Sequence, residues 1–262
     1  KWNDRKNRKP LIVWGARQVG KTYLVKDIFA EEYYSNSYIY IDFKIEDEIR
    51  DFCDHTANAE KIIEYICLYK GKDITKNTLL IFDEIQECPN IISSLKYFCQ
   101  DFREIPIIAT GSMVRIRLQR ELTRNGFTQK FMFPVGKIEQ LTIYPLSFDE
   151  FLLNSNEKLF NVTKKAYESR TPLNSSIHEL VLNEFYKYLL IGGMPEAVNT
   201  YFESNSFLES RRVLKDLYDN YLSDMELYQA SRESCLRSKN LFSNIYKELN
   251  QELGCYIPNN GY

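Results

Sequence analysis

The sequence predicts an α/β fold built on a parallel sheet, followed by a mainly helical second domain. Three observations carry that prediction. Over residues 10–145, short apolar runs alternate with amphipathic stretches, the rhythm of strands joined by crossover helices. Two runs, Thr78–Phe82 and Pro106–Thr110, are almost wholly apolar, as suits strands buried on both faces. From His178 onward, strand-like runs give way to helical spacing.

The elements follow in chain order. Leu11–Trp14, behind Pro10, reads as a short strand, and Lys21–Ala30 as the helix after it. Tyr38–Phe43 is rich in β-branched and aromatic residues and reads as the second strand. In Glu60–Lys70, helical spacing brings Ile62, Ile63, Ile66 and Cys67 to one face. Thr78–Phe82 is the third strand, Ile91–Phe102 the next helix, Pro106–Thr110 the fourth strand, and Gln140–Tyr144 a weaker fifth. Ser147–Leu153 reads as a short helix with Ser147 as N-cap and Glu150 completing a capping box. Residues 155–176 are polar and read as a linker or surface excursion between a first domain, 1–154, and a helical domain, 177–262. That second domain holds Glu179–Ile191, Phe207–Gln229 and a helix near residues 237–253, with Gly192-Gly193 closing the first in a left-handed C-cap. His178 sits at a helix start and needs no catalytic role, and the tyrosines of these helices recur at helical spacing, as core or partner-facing residues do.

Composition narrows the function classes. The 262 residues are 44% hydrophobic and 27% charged, which argues against disorder and low complexity. With 34 basic and 36 acidic side chains the formal charge is −2, so a nucleic-acid role needs a local basic patch. The 6 cysteines form no CxxC pair and lie far from the 2 histidines, which argues against a zinc site or a disulfide framework. No apolar run approaches the roughly 18–20 residues that span a bilayer. The basic stretch Lys1–Lys9 lacks the apolar segment of a signal peptide, so the chain reads as cytoplasmic. It begins without Met and ends on Asn-Asn-Gly-Tyr, and a further C-terminal domain is expected beyond it.

The strongest chemical pattern is Gly15-Ala16-Arg17-Gln18-Val19-Gly20-Lys21-Thr22, which fits GxxxxGK[ST] between a strand and a helix. Its glycines let the backbone wrap a phosphate, and the positive end of the following helix adds to the anion site. Lys21 is then expected on the β- and γ-phosphates and the Thr22 hydroxyl on Mg²⁺. Arg17 and Gln18 are candidates to touch phosphate or a neighbouring subunit. A second pattern, Leu79-Leu80-Ile81-Phe82-Asp83-Glu84, runs a buried strand into two acids. At the C-terminal edge of a parallel sheet, Asp83 suits Mg²⁺ through its water shell and Glu84 suits activation of a water. A third, Ile107-Ile108-Ala109-Thr110-Gly111-Ser112, ends a strand in hydroxyls, with Thr110 or Ser112 a candidate γ-phosphate sensor.

Arg115, Arg117, Arg120 and Arg124 form a basic run past that strand. One of the first three is a candidate arginine finger toward a neighbouring copy; a solvated helix face is the competing reading. Lys1–Lys9 is a candidate for contact with a nucleotide base or with nucleic acid.

In order, GARQVGKT, LLIFDEIQECP, IIATGS, FPVGK, LTIYPLSFDEFL and YLLIGGMPEAV resemble the AAA+-type P-loop ATPases of bacteria and archaea over roughly residues 8–200. More closely, they look like the group usually called "ATP-binding protein" or "AAA family ATPase". In that group an ATPase core precedes a C-terminal domain of unknown function, often thought nuclease-like. The resemblance implies a three-layer P-loop NTPase with strand order 5-1-4-3-2, binding ATP and Mg²⁺. It makes Lys21 and Thr22 the Walker A pair, Asp83 and Glu84 the Walker B pair, and Thr110 or Ser112 the first sensor. One departure is Gly136-Lys137, where many relatives carry Gly-Arg; a phosphate-sensing role there would fall to a lysine without bidentate geometry. The expected activity is Mg²⁺-dependent ATP hydrolysis coupled to conformational change, with self-association and a DNA or protein partner open. A slow nucleotide switch and a P-loop kinase are the alternatives. The kinase is disfavoured because Asp83-Glu84 is suited to activating water and no Arg-rich lid is visible.

Overall fold

The computed structural model describes residues 2–5, 7–112, 121–124, 127–130, 133–228 and 232–249. It divides into two compact units, Lys1–Glu150 and Phe151–Tyr262. The division falls inside a helix, Phe148–Ser155, just ahead of the polar stretch from which the sequence separates its two domains.

The first unit is built on β1 (Leu11–Gly15), β2 (Tyr38–Asp42), β3 (Leu79–Asp83), β4 (Ile107–Gly111) and β7 (Glu139–Ile143). A separate antiparallel hairpin, β5 (Glu121–Arg124) and β6 (Phe127–Lys130), precedes β7. The five-stranded sheet is parallel throughout, in the order β2-β3-β4-β1-β7. Read by first appearance of its strands from the β7 edge, that is the expected 5-1-4-3-2. The central strands β3 and β4 are buried at every position, which explains their unbroken apolar runs.

Strand alternation sends side chains to two helical layers. From β1, Ile12 and Trp14 join Ile39, Ile41 and Phe82 under helices α2 (Asp47–Asp54), α3 (Ala59–Lys70) and α4 (Pro89–Asp101). On the opposite face Val13, Leu79, Ile81 and Ile108 pack with Val25 and Ala30 of α1 (Tyr23–Ala30 and Glu31–Tyr34). Helix α1 is wound with wide π-type turns over Tyr23–Ala30 and closes with an α-turn, Glu31–Tyr34.

Element edges shift by a residue or so for local reasons. Pro106 lacks an N–H and contributes only its carbonyl, to the Leu80 N–H at 2.9 Å, so β4 opens at Ile107. Thr78 closes a turn onto Thr75, so β3 opens at Leu79. In α3, Ile62 and Ile66 are buried while Ile63 and Cys67 are half-buried, the expected face. The expected capping box is reciprocal: the Ser147 N–H donates to Glu150 Oε2 at 2.8 Å and the Glu150 N–H to Ser147 Oγ at 3.3 Å. Helix α2 has no counterpart in the sequence reading, because Ile49 and Cys53, its buried pair four residues apart, sit among charges that hide the stripe.

The second unit comprises the rest of α5 (Phe148–Ser155) with α6 (Glu157–Ser169), α7 (Ser175–Ile191), α8 (Pro195–Ser204), α9 (Phe207–Tyr228) and α10 (Arg232–Leu249). Phe151 packs against Tyr188 and Phe202, and Tyr201 against Phe207, so several aromatics there are core. Residues 155–176, the expected linker or surface excursion, hold helix α6. Its polar surface is ordered by an Asn156 cap that accepts from the Leu159 N–H, with Leu159 buried beneath it. Gly192 closes α7 at φ 75° and ψ −170°, a glycine conformation but not the left-handed cap expected. Among the described residues no helix is long and apolar enough to cross a membrane.

Candidate functional site

Sheet register brings the chemical residues to one edge. Trp14 pairs with Gly111 and Gly15 with Ile143, while Phe82 pairs with Ala109 and Asp42 with Asp83. Gly15, Asp42, Asp83 and Thr110 therefore all stand at the C-terminal ends of their strands, the edge where open α/β sheets bind ligands.

The loop after β1 is held tightly. A Cβ on Gly15 would lie 2.7 Å from the Ile143 carbonyl oxygen and 2.8 Å from Val19 Cγ1, so only glycine lets β1 turn here against β7. Gln18 takes a left-handed φ of 60°, and the Gly20 carbonyl accepts the Leu24 N–H at 2.9 Å as the helix begins. Val19 is buried at the base of the loop. Lys21 is only 7% exposed, and its Nζ donates to the carbonyls of Ala16 at 2.8 Å and Gly15 at 3.3 Å. The ammonium is thus fixed within the loop rather than extended into solvent.

Asp83 is the hub. Its Oδ2 accepts from the Thr22 hydroxyl at 2.7 Å and from the Tyr40 hydroxyl at 2.7 Å. Its Oδ1 accepts from the Thr110 hydroxyl and from the Glu84 N–H at 3.0 Å. Four donors from four segments fix a carboxylate that is 3% exposed. The Thr22 bond joins the loop after β1 to the acid at the end of β3, residues separated by 61 positions in sequence. A hydroxyl and a carboxylate side by side are hard oxygen donors of the kind Mg²⁺ takes in phosphate sites, so Thr22 and Asp83 fit that ion. Among the described residues no cluster of three or more His, Cys, Asp or Glu side chains offers another metal site.

Glu84 lies just beyond, at φ 52° and ψ 45°, a left-handed conformation that costs a non-glycine residue roughly 1–2 kcal/mol. Of the four described non-glycine residues with a left-handed φ, Arg170 and Asn205 end helices, whereas Gln18 and Glu84 flank this edge. Strain of that kind collects at functional sites. Burial pushes the Asp42 carboxyl above its usual range, and the charges of Asp83 and Glu84 push it further.

The two hydroxyls at the end of β4 are separated by the structure. Thr110 is fully buried with its hydroxyl on Asp83, whereas Ser112 is half-buried and its N–H donates to Gln86 Oε1 at 3.1 Å. Arg115, Arg117 and Arg120 lie outside the described residues; Arg124 stands in strand β5, not on a helix.

Two other expected positions lie away from this edge. Lys137 sits in the turn before β7, at the opposite end of the sheet from Gly15, about 13 Å of strand away. The N-terminal segment is held at that same far end. Arg5 pairs with Glu139 at 2.6 Å, Arg8 donates to the Glu104 carbonyl at 2.9 Å and Lys9 to the Gly136 carbonyl at 2.8 Å. Neither is near the loop that would hold a nucleotide.

Sequence reasoning missed Tyr40 and Gln86. Tyr40 alternates with core residues Ile39 and Ile41 and so faces α1, where the Lys26 ammonium lies 4.5 Å from its ring centroid. That alternation was its only local signal. Burial and the hydrogen bond to Asp83 raise the Tyr40 hydroxyl's pKa, keeping it a donor. Tyr40→Phe is expected to lower unfolding stability by about 1.5–3 kcal/mol in urea titrations, one hydrogen bond to a charged acceptor being lost.

Residues 7–152, more than half of the chain, match the family model of the AAA domain. The chain belongs to that family and is an AAA+-type P-loop ATPase by class. Among solved structures it is similar to a Walker-type ATPase of Pyrococcus abyssi, at 17% identity and a TM-score of 0.47, covering 83% of this chain and 71% of that one. It is also similar to Caenorhabditis elegans PCH-2, at 12% identity and a TM-score of 0.40, covering 75% of this chain and 56% of that one. A third is the replication initiator DnaA bound to AMPPCP and single-stranded DNA, at 15% identity and a TM-score of 0.40, covering 84% and 62%. The chain thus spans less than two thirds of the length of the latter two. No curated protein matches it.

Proposed function

We propose that this chain binds ATP with Mg²⁺ and hydrolyses it to ADP and phosphate, coupling turnover to conformational change. The observation that supports this reading best is the Thr22–Asp83 hydrogen bond, which unites the phosphate loop with the acidic strand end. Backbone N–H groups of Gly15, Ala16, Arg17, Gln18, Val19 and Gly20 line the phosphate cradle, and Lys21 offsets β- and γ-phosphate charge. Thr22 and Asp83 would hold Mg²⁺, which when bound neutralises charge developing on the phosphates. Glu84 accepts the proton of the attacking water. Thr110 positions Asp83 from β4, and Ser112 stands where β4 leaves the sheet, so a change at the γ-phosphate has a route into the chain that follows.

The test is product analysis with γ-labelled ATP, with Mg²⁺ or with chelator, and with or without DNA. Label released as inorganic phosphate only with Mg²⁺ supports the reading; label transferred to another acceptor favours a kinase. Stimulation by DNA would identify DNA as the partner.

The proposal extends to self-association, with Arg115, Arg117 or Arg120 serving a neighbour's nucleotide. Three arginines within six positions cannot all reach one γ-phosphate, and a guanidinium suits a developing phosphoryl charge. Lys21→Ala subunits retain the arginines, and an Arg115→Ala/Arg117→Ala/Arg120→Ala variant retains the phosphate loop. Mixing the two inactive proteins is expected to restore part of the turnover. No recovery at any ratio, with a monomeric mass in a non-hydrolysable ATP analogue, would leave a monomeric nucleotide switch.

A further inference from the structure

Gln86 carries chemistry that the mechanism above does not use. It is a polar side chain only 2% exposed, two residues past Glu84, in a single turn of 3₁₀ helix, Ile85–Glu87. Ile85, fully buried in the core, anchors that turn. The Gln86 amide bridges two segments. Its Nε2 donates to Glu84 Oε2, and its Oε1 accepts the Ser112 N–H at 3.1 Å. A carboxylate only accepts and a backbone N–H only donates, so the two partners leave one orientation of the amide that satisfies both. Gly111 makes the approach possible: a Cβ there would stand 2.9 Å from Gln86 Oε1 and 3.0 Å from Ile85 Cγ1.

We infer that Gln86 is a positioning residue for the hydrolytic step: its buried amide holds the Glu84 carboxylate and ties that hold to the Ser112 backbone. This rests on the reading of Glu84 as the base. Glu84 already sits on a left-handed backbone, so its side-chain direction depends on outside restraint. One such restraint comes from a group whose other end is fixed where β4 exits the sheet. Displacement of the backbone at Ser112 would therefore reach Glu84 through one side chain. ATP binding, which uses Lys21 and Thr22, would not depend on Gln86.

The experiment compares Gln86→Met, which keeps length and volume but removes both hydrogen bonds, with Gln86→Glu, which keeps the acceptor for Ser112 but repels Glu84. Each is made in the wild-type chain and in a Glu84→Gln background. Both single variants are expected to lower kcat by about 10–100-fold, the scale of a small displacement of a reacting group, with the dissociation constant for ATP unchanged. In the Glu84→Gln background neither should lower kcat further, since the group they position is gone. Wild-type kcat in either single variant overturns the inference. So does loss of ATP binding together with turnover, or an additive loss in the Glu84→Gln background, because the role is then structural. If Glu84→Gln itself turns over normally, the reading of Glu84 as base fails instead.

Discussion

Lys21→Ala is expected to abolish detectable ATP binding while leaving the protein folded. The Lys21 ammonium is held in the loop by the carbonyls of Ala16 and Gly15. Charge-assisted bonds to phosphate are the strongest single contacts such a loop offers, and no neighbouring backbone group replaces a full positive charge. The fold should tolerate the loss. Alanine has a high helix propensity, and removing a charge that is 7% exposed also removes its desolvation cost. Isothermal titration calorimetry with ATP, beside thermal melts of both proteins, checks this. Unchanged affinity would remove the phosphate-site assignment.

The second large effect separates two adjacent acids. Glu84→Gln is expected to bind ATP normally and to slow hydrolysis by about 10²–10⁴-fold, the usual contribution of a positioned base. The substituted amide can still accept from Gln86 Nε2, so the change removes basicity rather than the contact. Asp83→Asn should behave differently. Its oxygen can keep the Glu84 N–H, and its NH₂ can face the Thr22 and Tyr40 hydroxyls, which can turn to accept. The fold survives but the charge is lost, and the Mg²⁺ concentration for half-maximal turnover should rise about 10–100-fold, the range for groups acting through a metal's bound water. Steady-state turnover across Mg²⁺ concentrations distinguishes the two. A wild-type rate in Glu84→Gln would assign the base elsewhere.

The sheet was legible because buried parallel strands leave an unmistakable pattern. Leu79–Asp83 and Ile107–Gly111 are buried at every position, so nothing polar interrupts them until they reach the ligand edge. The loop after β1 was legible for a related reason: crowding at Gly15 admits no side chain, and that demand is written in the residue itself. Helix α2 was not legible because two buried residues among charges are too few to mark a face. Helix α6 was hidden the same way, by a surface polar enough to read as loop.

The sequence by itself determined the α/β class, the glycine-bearing loop after β1 with Lys21 and Thr22, the acidic strand end at Asp83 and Glu84, and the hydroxyls of β4. Each is a local requirement of backbone or burial, and local requirements select residue types. The tertiary structure decided which of these residues meet. Thr22, Tyr40 and Thr110 converge on Asp83 only because the strand order sets β4 between β1 and β3, with β2 beyond. Along β4, Thr110 reaches Asp83, while Ser112, one residue past the strand's end, reaches Gln86. Strand direction and register put Lys137 and the N-terminal arginines at the far end of the sheet. A hydrogen bond between residues 61 positions apart depends on register across several strands, and no single segment carries that information.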